Sequence, residues 1–259
     1  MKILINLIII MKYKIFNETI EKEYYLEINE IINLIKTYTD NIFYKFIDND
    51  KIKINNDIVI NTEFICHRIN KIEELNIIDK QFGIELDLRD DHKSGKIILA
   101  HDPFLEGECF EDYLQKYNHN ILILNIKSER IEIECLEILK KNNIENYFFL
   151  DSSFPMIYLL NKIYKNNKVA YRFSEFESIE NFVVSNNLYS YIWVDCFNNF
   201  TLNKENYNIF KSYNKKICIV SPELQKQEEK IKEYRKLIID NNIIPDMVCC
   251  KIYNIIQWI

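Results

Sequence analysis

The chain reads as an α/β protein, a closed (β/α)8 barrel with a small N-terminal α+β extension, and three observations lead there. From residue 61 onward, short β-rich runs alternate with helix-compatible stretches. The runs number eight, the count that closes a parallel barrel. Most are continuous apolar segments of four to six residues, as parallel strands covered on both faces require. An open doubly wound sheet is the alternative that alternation alone allows.

The expected strands are 63–66, 83–88, 121–126, 147–150, 169–173, 191–196, 216–220 and 247–251. Segments 132–141 and 155–164 repeat apolar residues at spacings of three and four, as a helix buried on one face does. Pro155 suits a first helical turn after Ser152-Ser153. Segment 228–240 is amphipathic, 178–186 and 204–213 complete the set, and 71–80 and 110–117 are weaker helices. Only about seven residues follow the last strand, so the closing helix is short or missing. Residues 1–60 form the extension: a helix over 21–37, then strands at 42–46 and 51–60, the latter turning at Asn55-Asn56-Asp57. Residues 61–259 form the barrel domain.

Composition removes several function classes. The 33 basic and 39 acidic residues leave a formal charge of −6 with no basic stripe, which argues against nucleic acid as a partner. Only three glycines occur, and none builds a phosphate loop of the ATP or NAD type. The seven cysteines are odd in number and lack a CxxC pair, so they read as buried free thiols in a reducing compartment. The apolar start, residues 1–10, is closed by Lys12 and Lys14, lacks a cleavage site and is too short to span a bilayer. The expectation is a cytoplasmic protein without a transmembrane segment. His92 and His119 fall in polar loops and read as solvated, and Ser152-Ser153 lacks an elbow motif.

In such a barrel, chemistry belongs at the C-terminal ends of the strands. His67-Arg68 ends the first strand, and Glu85 and Asp87 lie two apart in the second, on one side of it. His101-Asp102-Pro103 ends the extended run 96–100, and Asn125 and Lys127 repeat the two-residue spacing in the third strand. Glu175, Asp195 and Glu223 follow or end later strands and are candidates for a substrate pocket. Two carboxylates and an amide oxygen can hold a hard divalent cation such as Mg²⁺ or Ca²⁺, which would polarise a phosphoryl oxygen. Two histidines can serve as base and acid near neutral pH, and Arg68 and Lys127 can take up charge on phosphoryl oxygens.

The runs ICHRIN, FGIELDLR, IILAHDP and LILNIKSE, in that order, resemble the glycerophosphodiester phosphodiesterase superfamily. Its pattern is HR, ExD, HD and ExK on a (β/α)8 TIM barrel. The resemblance covers about residues 61–252 and is specific between Cys66 and Lys127. It implies a phosphoric diester hydrolase acting on a small phosphodiester. His67 and His101 would be the acid/base pair and Glu85 and Asp87 metal ligands. Arg68 would bind phosphate, and Lys127 would hold the transition state. The resemblance further implies that the substrate's own hydroxyl can attack phosphorus, giving a cyclic phosphate. Two positions depart from the pattern: Ile69 stands where glycine is usual, and neutral Asn125 stands where the third metal carboxylate falls. These departures motivate a second reading, a catalytically weakened barrel that binds a phosphorylated ligand or a partner protein.

Overall fold

The computed structural model describes residues 53–54, 58–59 and 62–258. The extension contributes a two-stranded antiparallel hairpin, β1 (Lys53–Ile54) and β2 (Ile58–Val59), which brackets the expected turn. The helix over 21–37 and the strand at 42–46 lie outside the described residues.

The rest runs β3 (Glu63–Cys66), α1 (Ile72–Ile77), β4 (Gly83–Asp90), β5 (Ile97–Leu99), β6 (Glu108–Cys109), α2 (Phe110–Leu114) and β7 (Leu122–Ile126). It continues α3 (Glu132–Lys141), β8 (Tyr147–Leu150), α4 (Phe154–Lys162), β9 (Ala170–Phe173), α5 (Ile179–Ser185) and β10 (Tyr191–Val194). Last come α6 (Lys204–Ser212), β11 (Lys216–Val220), α7 (Ile231–Asp240), β12 (Met247–Cys250) and α8 (Ile255–Trp258). Strands β3, β4, β7 and β8 pair in parallel, as do β9 to β12, and β12 pairs with β3. Between β8 and β9 the ring closes through one parallel bridge, Phe149 to Val169, with the Phe149 N–H donating to the Lys168 carbonyl at 2.9 Å. The eight expected strands are therefore the eight staves of the barrel. The run at 96–100 is a strand too, but β5 lies antiparallel against the upper end of β4 and forms a hairpin with β6. The closing helix is a single turn, α8.

Strand alternation divides the core in two. Ile65, Ile123, Phe148, Ala170, Trp193, Cys218 and Cys249 belong to one buried cluster that fills the barrel. The Phe148 and Tyr191 rings stack inside it, 4.1 Å between centroids. The residues between them, such as Cys66, Leu86, Leu124, Ile192 and Ile219, join the cluster under the helices. Hence the continuous apolar runs: both faces of each strand are covered. Gly83 is required by the tight bore, because a Cβ there would lie 2.3 Å from Ile65 Cδ1 and 2.6 Å from Ile121 Cγ2.

The helices begin where the side chains allow. Asn203 Oδ1 accepts the Asn206 N–H at 2.8 Å to start α6, and Pro155 sits in the first turn of α4. Among the described residues no helix is long and apolar enough to cross a membrane.

Candidate active site

Two residues beyond the plug, the same inward-facing positions turn polar. Ile65 is followed by His67, Gly83 by Glu85 and Asp87, and Ile123 by Asn125 and Lys127. On the far side, Ala170 is followed by Arg172, Trp193 by Asp195, and Cys249 by Lys251. The mouth of the barrel is thus a ring of charge on an apolar floor.

The first strands carry the tighter group. Glu85 and Asp87 are 0 % and 1 % exposed. Glu85 Oε2 accepts the Arg68 N–H at 2.7 Å, and Oε1 accepts the Asn125 side-chain amide at 2.8 Å. Asp87 Oδ2 accepts from the Asn70 side chain at 2.9 Å and lies 3.3 Å from Arg68 Nε. Asp87 Oδ1 faces Lys127 Nζ at 3.5 Å but accepts no hydrogen bond. Arg68 has a left-handed φ of 58°, uncommon for a side chain of its size, and the turn brings its N–H to Glu85. The left-handed residue is Arg68 and not Ile69, so the backbone does not demand glycine at 69. Ile69 is buried, and its carbonyl accepts from the Tyr113 hydroxyl at 2.9 Å.

His67 lies 3.7 Å, Nε2 to Oε2, from Glu85, and its buried Nδ1 has no partner. Burial, then the charges of Lys251 and Arg68, push its pKa down to about 3, against the pull of Asp87. The ring is therefore neutral at physiological pH. His101 leaves β5 beside Asp87, where the Ala100 N–H donates to the Asp87 carbonyl at 3.1 Å. Its ring is held by Asp102, Nδ1 to Oδ1 2.7 Å, and its carbonyl accepts from Arg89 at 3.1 Å.

The later strands carry a second network. Lys127 Nζ is 3.8 Å from Asp151 Oδ2, Asp151 pairs with Arg172, and Arg172 pairs with Asp195. Asp195 Oδ1 also accepts from Gln225 at 2.7 Å. Burial pushes the Asp195 carboxyl up, while Arg172 and Gln225 hold it down.

The three candidate pocket residues differ in their engagements. Glu175 is exposed and accepts the backbone N–H groups of Phe197, Asn198 and Asn199 at 3.1, 2.7 and 2.8 Å, bracing that loop. Asp195 lies in the network just described. Glu223 holds the Lys251 N–H at 2.9 Å and the Ser221 hydroxyl, which also accepts from Trp258 at 2.8 Å. His119, expected in solvent, is instead half-buried and bonded to the Ile78 carbonyl at 3.0 Å, whereas His92 is exposed.

Asp151, Arg172 and Lys251 were not anticipated as site residues. The signal was available: each is a charge inside or immediately after a continuous apolar strand, YFFL, AYRF and MVCC.

The donor set leaves little for a resident divalent cation: only Asp87 Oδ1 and Asn125 Oδ1 accept no hydrogen bond. Three of the four carboxylate oxygens of Glu85 and Asp87 already accept hydrogen bonds, and the fourth faces Lys127. Asn125 turns its amide nitrogen to Glu85, and its oxygen is left without a partner. Among the described residues no group of three His, Cys, Asp or Glu side chains is placed to hold a metal ion. The buried His67 Nδ1, Asp87 Oδ1 and Asn125 Oδ1 have no protein partner at this corner.

No family model matches the chain. No curated protein matches it either. Among solved structures it is similar to a glycerophosphodiester phosphodiesterase from Agrobacterium tumefaciens, with a TM-score of 0.54 and 12 % identity over 73 % of this chain and 96 % of that one. A glycerophosphoryl diester phosphodiesterase from Parabacteroides distasonis gives 0.54 and 14 % over 80 % and 88 %. An Oleispira antarctica phosphodiesterase, solved with its product sn-glycerol-3-phosphate, gives 0.52 and 13 % over 72 % and 92 %. At these identities the likeness is one of fold.

Proposed function

We propose that the protein is a phosphodiesterase that cleaves a glycerophosphodiester or a related small phosphodiester by two-histidine acid/base catalysis. The observation that carries this reading is the convergence of His67, Arg68, Glu85, Asp87, Asn125 and Lys127 at one corner of the barrel mouth, with three orphaned polar atoms among them. The three similar structures, each described as a phosphodiesterase, support it. Neutral His67 takes the proton of the attacking hydroxyl. Arg68 and Lys127 stabilise the charge that grows on the phosphoryl oxygens. His101, its ring oriented by Asp102, returns a proton to the leaving alcohol. No step is routed through a metal: of the oxygens that would hold one, only Asp87 Oδ1 and Asn125 Oδ1 are open, and Asp87 Oδ1 faces Lys127. The seven cysteines, all free, fit a reducing cytoplasm.

The test is turnover of a panel of glycerophosphodiesters, with product analysis that separates a phosphomonoester from a cyclic phosphate. Neutral Asn125, where the resemblance expects a carboxylate, favours the second reading, a barrel that binds a phosphorylated ligand without turning it over. Phosphate binding with no turnover across the panel would select it.

A further inference from the structure

Three fixed cations meet two carboxylates at the catalytic corner. Arg68 and Lys127 lie against Asp87 at 3.3 and 3.5 Å. Lys251 is the third cation. Strand β12 pairs with β3 so that Cys250 is level with Cys66, and the His67 N–H donates to the Cys250 carbonyl at 3.0 Å. Lys251 and His67 are therefore neighbours at the mouth. Each stands two residues beyond a barrel-filling side chain, Cys249 and Ile65, so both face inward. Glu223 fixes the Lys251 backbone through its N–H. Burial lowers the Lys251 pKa, and the charges of Arg68 and Glu85 act on it as well. Lys251 is half-buried, and an ammonium partly withdrawn from water is stabilised when something anionic shares its site. Around these cations stand the carboxylates of Glu85 and Asp87, with Asp151 3.8 Å from Lys127 and paired in turn with Arg172. A phosphodiester brings one negative charge.

We infer that Lys251 is a third phosphate-binding group, and that Arg68, Lys127 and Lys251 together hold the phosphoryl group in the place of a divalent cation. This rests on the phosphodiesterase reading for its ligand class, but it concerns binding and not turnover. It explains the neutral Asn125: with Lys251 supplying fixed charge, a third carboxylate has no metal to bind.

The test is calorimetric titration of the full chain, freed of metal by chelator, with sn-glycerol 3-phosphate. Wild-type protein is expected to bind in chelator, with affinity changed less than about twofold by added Mg²⁺. Lys251→Met removes the charge, keeps the volume and is expected to weaken binding about tenfold or more, the loss of one charge-assisted contact. Lys251→Arg is expected to retain most of the affinity. Met at this position removes a half-buried charge, so its melting temperature should stay close to that of the wild type. Binding that needs Mg²⁺, or wild-type affinity in Lys251→Met, overturns the inference. The first of these arms needs no variant and stands even if Lys251→Met folds poorly. Binding in chelator without any phosphodiester turnover would instead sink the enzyme reading and leave the cradle intact. Turnover that depends on Mg²⁺, together with Mg²⁺-dependent binding, would do the reverse.

Discussion

The two halves of the barrel mouth hold similar numbers of charged side chains and treat them differently. On β3, β4 and β7, buried polar atoms are left open: His67 Nδ1, Asp87 Oδ1 and Asn125 Oδ1. On β9 to β11 the charged groups are closed on one another, Arg172 on Asp151 and Asp195, Asp195 on Gln225, and Glu223 on Ser221 and the Lys251 backbone. An unsatisfied buried donor or acceptor costs roughly 1–3 kcal/mol, so several at one corner call for a partner from outside the chain, a ligand, an ion or water. In the proposed phosphodiesterase the first half is the chemical half, and the second is its wall.

The sharpest way to break that contrast is to open the wall. Arg172→Met leaves Asp195, only 3 % exposed, without its cation. The expected loss is about 3 kcal/mol or more of unfolding free energy, read from a urea melt. Unchanged stability would mean that the network is ornamental. The complementary substitution empties the chemical half. His67→Asn and His101→Asn should each lower turnover about a hundredfold or more while the unfolding free energy stays within about 1 kcal/mol of wild type. Wild-type turnover in either variant removes the two-histidine mechanism.

A subtler effect follows from His67 alone. Its folded pKa, about 3, lies below the ordinary 6.5, so between these values the unfolded chain binds the extra proton. Stability is then fully present above about pH 6.5 and falls as pH drops toward 3, on the order of 1 kcal/mol per unit. His67→Asn should flatten that acid slope in melts taken from pH 4 to 7. An unchanged slope would place the acid sensitivity elsewhere. The same low value carries the acid limb of the rate profile below the near-neutral position expected from an ordinary histidine. The smallest effect belongs to Glu175. Because it is exposed and serves only a loop, Glu175→Gln should cost less than about 1 kcal/mol and leave turnover alone. A large loss of activity there would extend the chemical half across the mouth.

The eight strands were legible because burial on both faces writes itself as an unbroken apolar run. The first half of the site was legible because its residues come in close pairs at strand ends, His67-Arg68, Glu85 with Asp87, and Asn125 with Lys127. The second half was harder to read because its charges are single and their partners distant in sequence: Arg172 meets Asp151 and Asp195 only when the barrel closes. Strand β6, two residues long, carries no periodicity at all. The direction of β5 depends on its pairing with β4, which no local pattern encodes. Lys251 was hidden in plain view, since a lysine after an apolar strand usually marks the strand's exit into solvent.

The single bridge between β8 and β9 has a further consequence. Strands β4 and β7 are joined through five registered pairs, whereas β8 and β9 share one. Amide protons along that seam should exchange with solvent sooner than those of β4 and β7, with opening there well below the free energy of global unfolding. The Asp151–Arg172 ion pair spans the same seam at its upper edge, so the wall of the mouth also acts as its clasp. Cutting the chain in the β8–β9 connection, rather than at any other loop, is the place to ask whether two four-stranded pieces can find each other again.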